Sequence, residues 1–210
     1  MRRSAVTTRH RTRSGRAPLA GPVVLSAPAT LLRVAFACAL LGAGVAAVPA
    51  GELPPEPSGY RMDDFRSPVP AKITGGRTLT GDAAADLWND NAAIFIDVYP
   101  QAPKPQNLPA GTFWRDPVHR SMEGAHWMPN VGYGALSDEV DDYFRTRLQR
   151  LTKGDKAAPV VFFCLKDCWM SWNAAKRALE YGYTNVMWFR DGTDAWQELG
   201  YPLVAVKKLP

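Results

Sequence analysis

A mixed α/β domain, a central parallel sheet flanked by helices, is the fold class this sequence predicts. Two observations carry the prediction. From residue 77 onward, short apolar runs alternate with amphipathic stretches of helical period, the pattern of strand–helix–strand units. One run, Val160-Val161-Phe162-Phe163, is apolar without a break, as in a central strand buried on both faces.

The elements follow in order. Residues 51–76 are rich in proline and charge and read as an extended arm that docks through Tyr60 and Phe65. Thr80 is placed to cap a helix over Asp82–Trp88, whose apolar face is Ala83, Ala84, Leu87 and Trp88. Ile94–Val98 reads as a short strand carrying an acid, Asp97. Residues 99–124 are long, proline-rich and irregular, and a loop of that length inside a compact domain is usually functional or flexible. Ala125–Trp127 reads as a brief strand. Ser137 caps a helix to Leu151, with Val140, Phe144, Leu148 and Leu151 on one face. After the Val160–Phe163 strand, Ser171–Tyr181 is a helix stopped by Gly182. Asn185–Phe189 is a strand, and Thr193–Leu199 a last helix ended by Gly200.

The first 50 residues are of another kind. They hold seven arginines and no acid, then the 14-residue apolar run Val34–Ala47, then Val48-Pro49-Ala50. A basic segment, a short apolar segment and small residues before a polar one describe a signal peptide, with cleavage expected after Ala47 or Ala50. The run falls short of the roughly 20 apolar residues of a membrane span. Cys38 leaves with the leader. The domain boundaries expected are thus 1–50 leader, 51–76 arm and 77–210 core domain. The chain's formal charge of +5 belongs to the leader, because all 20 acids lie beyond it. The mature chain is net acidic, so the basicity gives no ground for nucleic-acid binding, and membrane contact is expected only through the leader.

The mature chain keeps two cysteines, Cys164 and Cys168. Export implies an oxidising compartment, yet cysteines four apart close almost no loop and staple little. Cys164 ends a predicted central strand, where open α/β sheets bind ligands. The turn into the next helix aims backbone N–H groups at one point, which stabilises a thiolate. Leu165, Lys166, Asp167, Trp169, Met170 and Ser171 are the residues expected to form that cradle.

At these residues the sequence resembles the rhodanese-like proteins. The likeness runs over about residues 77–204, through "FIDV", "EGAHWMPN", "VVFFC" with "AAKRALEYGY", "NVMWFRDGTDAW" and "GYPL". More narrowly, "GYRMDDFRSPVP", "PNVGYG", "CLKDCWMSWNAAKRAL" and "DGTDAW" look like the periplasmic proteins labelled PQQ-dependent catabolism-associated CXXCW motif. The resemblance implies a rhodanese-like parallel sheet, a periplasmic location and an accessory role in alcohol oxidation dependent on pyrroloquinoline quinone. It places Cys164 where rhodaneses form a persulfide, with Cys168 as a resolving thiol and Asp97 in support.

The sequence also departs from that family. Sulfurtransferase loops of six residues usually end in Arg or Lys before a Ser, whereas Met170 precedes Ser171 here. Cys164 to Met170 makes seven residues, as in the phosphatase branch, but phosphate recognition wants an arginine fork and the loop offers only Lys166 beside Asp167. No Arg follows Asp97-Val98-Tyr99, and three residues separate the cysteines rather than two.

Four functions therefore stay open. Cys164 can carry sulfane sulfur as a persulfide that Cys168 releases, a possible sulfurtransferase activity needing no cofactor. The pair can exchange disulfides with a redox partner protein. Cys164, Cys168 and Met170, joined by His119 or His126, can offer soft ligands to copper. Or the domain can be a non-catalytic binding module. Its partners are then a periplasmic sulfur donor or acceptor, or a redox protein. Trp169 and Trp172 fit a packing role as well as a pocket wall. Asp97 fits a structural acid holding turn amides, His126 a buried histidine, and Arg115, His119 and Arg120 solvated loop positions.

Overall fold

The computed structural model describes residues 53–210. The expected leader, its cleavage point and Cys38 lie outside them. Five strands form one parallel sheet: β1 (Arg77–Leu79), β2 (Ile94–Asp97), β4 (His126–Trp127), β5 (Val160–Phe163) and β6 (Val186–Phe189), in the order β1-β6-β5-β2-β4. Four helices connect or flank them: α1 (Gly81–Asn89), α2 (Asp138–Leu151), α3 (Trp169–Glu180) and α4 (Gly192–Glu198). This is the expected parallel sheet between helices. No helix of the described residues is long and apolar enough to cross a membrane.

Strand β5 sits at the centre, paired with β2 on one side and β6 on the other. All four of its residues are buried, which explains the unbroken apolar run. Side chains alternate across a sheet, so the run feeds two cores. Val160 and Phe162 join Phe144 and Leu148 of α2 and Trp172, Ala174, Ala175 and Ala178 of α3. Val161 and Phe163 join Ala84 and Ala85 of α1 and Trp196 of α4. The predicted caps hold: the hydroxyls of Thr80 and Ser137 accept from the amides of Ala83 and Val140.

Three short strands were not expected: β1, and two that pair with each other. β3 (His119–Ser121) pairs antiparallel with β7 (Val204–Val206), so the 99–124 segment is not irregular throughout. The tail beyond β7 continues along β4: Lys208 bridges Trp127, and the Leu209 amide donates to the Trp127 carbonyl at 2.8 Å. The tail thereby covers the edge that the short β4 would leave open.

The proline-rich residues before β1 are built into the core. Val69 and Ile73 are buried with the α3 face, and Phe65 meets Tyr133 edge-on. The Asn173 side chain of α3 binds Arg61 at both its amide and its carbonyl, each at 2.9 Å. A side-chain amide that pairs one backbone unit this way imitates a strand neighbour and fixes the register of an extended segment.

Candidate functional site

The two cysteines face each other across a tight turn at the carboxyl end of β5. Cys164 follows the strand directly. Leu165 bridges Gly192, and the Cys164 carbonyl accepts from the Thr193 amide at 2.9 Å, which ties the turn to the start of α4. Asp167 then takes a left-handed conformation, φ 54°, accessible at modest cost to Asp and Asn. It reverses the chain so sharply that Cys168 becomes the N-cap of α3. Cys164 and Cys168 are joined as a disulfide, with Cα atoms 6.2 Å apart. Each residue is 1% exposed.

This geometry corrects the expected loop. α3 starts at Trp169, not Ser171, so the turn is shorter than seven residues. Trp169, Met170 and Ser171 are the first turn of a helix and are buried. Met170 packs in the same buried core cluster as the two cysteines. Ser171 is a structural link: its hydroxyl donates to the Cys168 carbonyl and accepts from the Trp188 indole, both at 2.9 Å. Trp169 packs edge-on against Trp172, and its indole donates to Ser67 of the arm at 3.1 Å.

The expected amide cradle is engaged by the protein itself. The Lys166 amide donates to the Asp194 carboxylate at 2.7 Å, and the Trp169 amide to the Phe65 carbonyl at 3.0 Å. Leu165 is half-buried and the Lys166 side chain is exposed. A carboxylate already on the loop amide opposes a second anion there.

Asp97 lies apart from the thiols. It shares the α1/α4 side of the sheet with Phe95, by the alternation of β2, while Cys164 belongs to the α2/α3 core. One Asp97 oxygen accepts from the Tyr99 amide at 2.8 Å, the turn-holding role foreseen for it. The other meets the Ser121 hydroxyl at 2.5 Å and the His119 ring at 2.7 Å.

That last contact is what the sequence reading missed. His119, placed there among solvated loop residues, is on β3 with its side chain 13% exposed. Its ring stacks on Tyr99 and tilts against Trp127. Only the pairing of 119–121 with 204–206 puts it there, and the sole local hint was the apolar run Leu203-Val204-Ala205-Val206 in the tail. Arg120 donates to the Leu203 carbonyl at 2.7 Å, and Arg115 lies over Phe113. Neither supplies a cation to the cysteine turn. Among the described residues, no three His, Cys, Asp or Glu side chains converge on a common point.

His126 is half-buried on β4, and burial holds its pKa below the ordinary 6.5. The folded protein therefore binds fewer protons there than the unfolded chain. Its contribution is complete above pH 6.5 and is lost as pH falls through the lowered value. Urea unfolding from pH 7.5 to 5 is expected to show a decline that His126→Gln flattens. Parallel slopes in the two proteins would contradict this.

No protein-family model matches the chain, and no curated protein matches it. Solved structures do. A thiosulfate sulfurtransferase from Pseudomonas aeruginosa is 16% identical with a TM-score of 0.43, over 63% of this chain and 21% of that one. The 30 kDa polysulfide-sulfur transferase homodimer from Wolinella succinogenes is 20% identical with a TM-score of 0.38, over 62% and 79%. An uncharacterized protein from Saccharomyces cerevisiae is 15% identical with a TM-score of 0.38, over 59% and 92%. The chain thus spans about a fifth of the length of the first of these.

Proposed function

We propose that this is a rhodanese-like thiol protein in which Cys164 accepts sulfane sulfur and Cys168 resolves it. One observation carries the proposal: the two sulfurs at the end of the central strand are bonded to each other, so Cys168 has direct access to whatever forms on Cys164. The chemistry balances in two steps. The Cys164 thiolate attacks the outer sulfur of a persulfide R–S–SH, forming Cys164–S–SH and releasing the thiolate R–S⁻. The Cys168 thiolate then attacks the inner sulfur, closing the disulfide and expelling hydrosulfide. A partner dithiol reduces the disulfide and is itself oxidised. Burial of both sulfurs favours a small donor over a protein disulfide. The Asp194 carboxylate on the Lys166 amide, and a turn whose one cationic side chain, Lys166, is exposed, favour a thiol persulfide over dianionic thiosulfate. The leader and the family resemblance support placing this chemistry in the periplasm, as an accessory to alcohol oxidation dependent on pyrroloquinoline quinone.

Intact mass spectrometry of the reduced protein with a glutathione persulfide donor tests it. Cys168→Ser is expected to accumulate an adduct of one sulfur atom. The wild type is expected to end as the disulfide with release of hydrosulfide, and Cys164→Ser to take up none. Absence of the adduct in Cys168→Ser with both persulfide and thiosulfate would remove sulfur transfer, and the bonded pair would then serve thiol–disulfide exchange.

A further inference from the structure

A second site lies beside the disulfide turn. A cavity of about 530 Å³ opens at the carboxyl ends of the strands, within the size range of small-molecule pockets. Tyr99, Trp127 and Tyr133 wall it, with Leu165 from between the cysteines and Thr193 from α4. His119 lines it as well. Tyr99 covers one face of the imidazole at a centroid distance of 5.0 Å, and Trp127 lies against the ring at 4.5 Å. The ring is clamped, and its edge is what remains to meet a ligand.

The hydrogen bonds fix what that edge offers. Asp97 accepts from the Tyr99 amide and the Ser121 hydroxyl, so it is an acceptor at each contact. His119 Nε2, 2.7 Å from the same carboxylate, then carries the proton and donates. In a neutral imidazole the other nitrogen is an acceptor. His119 Nδ1 makes no hydrogen bond among the described residues. In the neutral ring the carboxylate thus sets the tautomer, the aromatic clamp sets the orientation, and an acceptor nitrogen is left at the wall of an aromatic cavity. The charged lining residue Arg120 is already tied to the Leu203 carbonyl, and no carboxylate lines the cavity to attract a cation.

We infer that this cavity binds a small uncharged molecule with a flat apolar body and one O–H or S–H group, which donates to His119 Nδ1. The aromatic walls take the body; the histidine reads the donor. The site stands independently of sulfur chemistry at Cys164, although a ligand in it rests against Leu165 of the disulfide turn.

Phenol is the probe, with toluene and anisole as analogues of similar shape that lack the donor. Titration of the full mature chain, followed by the nitrogen shifts of the His119 ring, is expected to show phenol binding about tenfold more tightly than toluene. The Nδ1 signal should move on phenol addition. His119→Phe keeps an aromatic ring between Tyr99 and Trp127 and removes both nitrogens. It is expected to bind phenol and toluene equally, with toluene affinity retained. Equal binding of phenol and toluene by the wild type, or no shift of Nδ1 at saturating phenol, would overturn the inference. That comparison requires no variant, so a folding defect in His119→Phe cannot mask it.

Discussion

Arg177→Met is expected to lower stability by about 3 kcal/mol, more than a typical point substitution, although no acid pairs with this arginine among the described residues. Arg177 is 5% exposed. Its guanidinium donates to three carbonyls of the segment after β4: Val131 at 3.1 Å, Tyr133 at 3.1 Å and Gly134 at 2.9 Å. It also lies over the Tyr60 ring at 4.1 Å. Methionine keeps much of the volume and donates nothing, leaving three acceptors facing an apolar chain. Each buried unpaired acceptor costs about 1–3 kcal/mol, and partial relaxation toward water accounts for the lower total. Denaturant unfolding measures the loss. A second readout follows from position. The carbonyls that Arg177 holds belong to the segment packed against Phe65 and Arg61, and Phe65 in turn receives the Trp169 amide at the start of α3. Loosening that stack uncovers the disulfide, so reduction by dithiothreitol should be faster in Arg177→Met under native conditions. A loss below about 1 kcal/mol with unchanged reduction would mean that water replaces the guanidinium.

Arg177 also shows where sequence reasoning ends. In "AAKRALEYGY" it reads as an ordinary helix cation, because nothing local says that three carbonyls 43 to 46 residues away converge on it. What the sequence did disclose is local: β2, β5 and β6 by their apolar runs, α1 and α2 by their caps, and Cys164 at a strand end. The start of α3 was misplaced because Asp167 tolerates a positive φ, and Trp169 and Met170 carry no sign of being helical rather than looped. The Asp97–His119 pair was missed for a different reason. It depends on a two-strand ribbon whose partners are about 85 residues apart. Such pairing leaves a faint alternation in each strand and no mark of which strand it will find. Functional residues supplied by non-local ribbons are therefore the ones a single sequence hides best.

Gly192→Ala is expected to cost about 2–4 kcal/mol and to disturb the disulfide turn directly, through backbone strain and contact together. Gly192 has φ +50°, and a Cβ there would lie 2.1 Å from the Cys164 carbonyl oxygen and 2.7 Å from its carbon. These are backbone atoms and cannot swing aside. The Cys164 carbonyl already accepts from the Thr193 amide, and Leu165 bridges Gly192 itself. To admit the methyl group, α4 must retreat from the end of β5, and the Lys166–Asp194 contact must lengthen with it. Gly154→Ala separates the two causes. Gly154 has φ +82° with nothing within 4 Å of the added Cβ, so its cost should be the conformational part alone, about 1 kcal/mol. The excess of Gly192→Ala over Gly154→Ala is then the contact. That excess should appear with a changed dithiol–disulfide equilibrium against glutathione, because the displaced carbonyl belongs to Cys164. If the two variants lose the same stability and keep the same equilibrium, the turn is not anchored through α4, and the close approach at Gly192 has no bearing on the thiols.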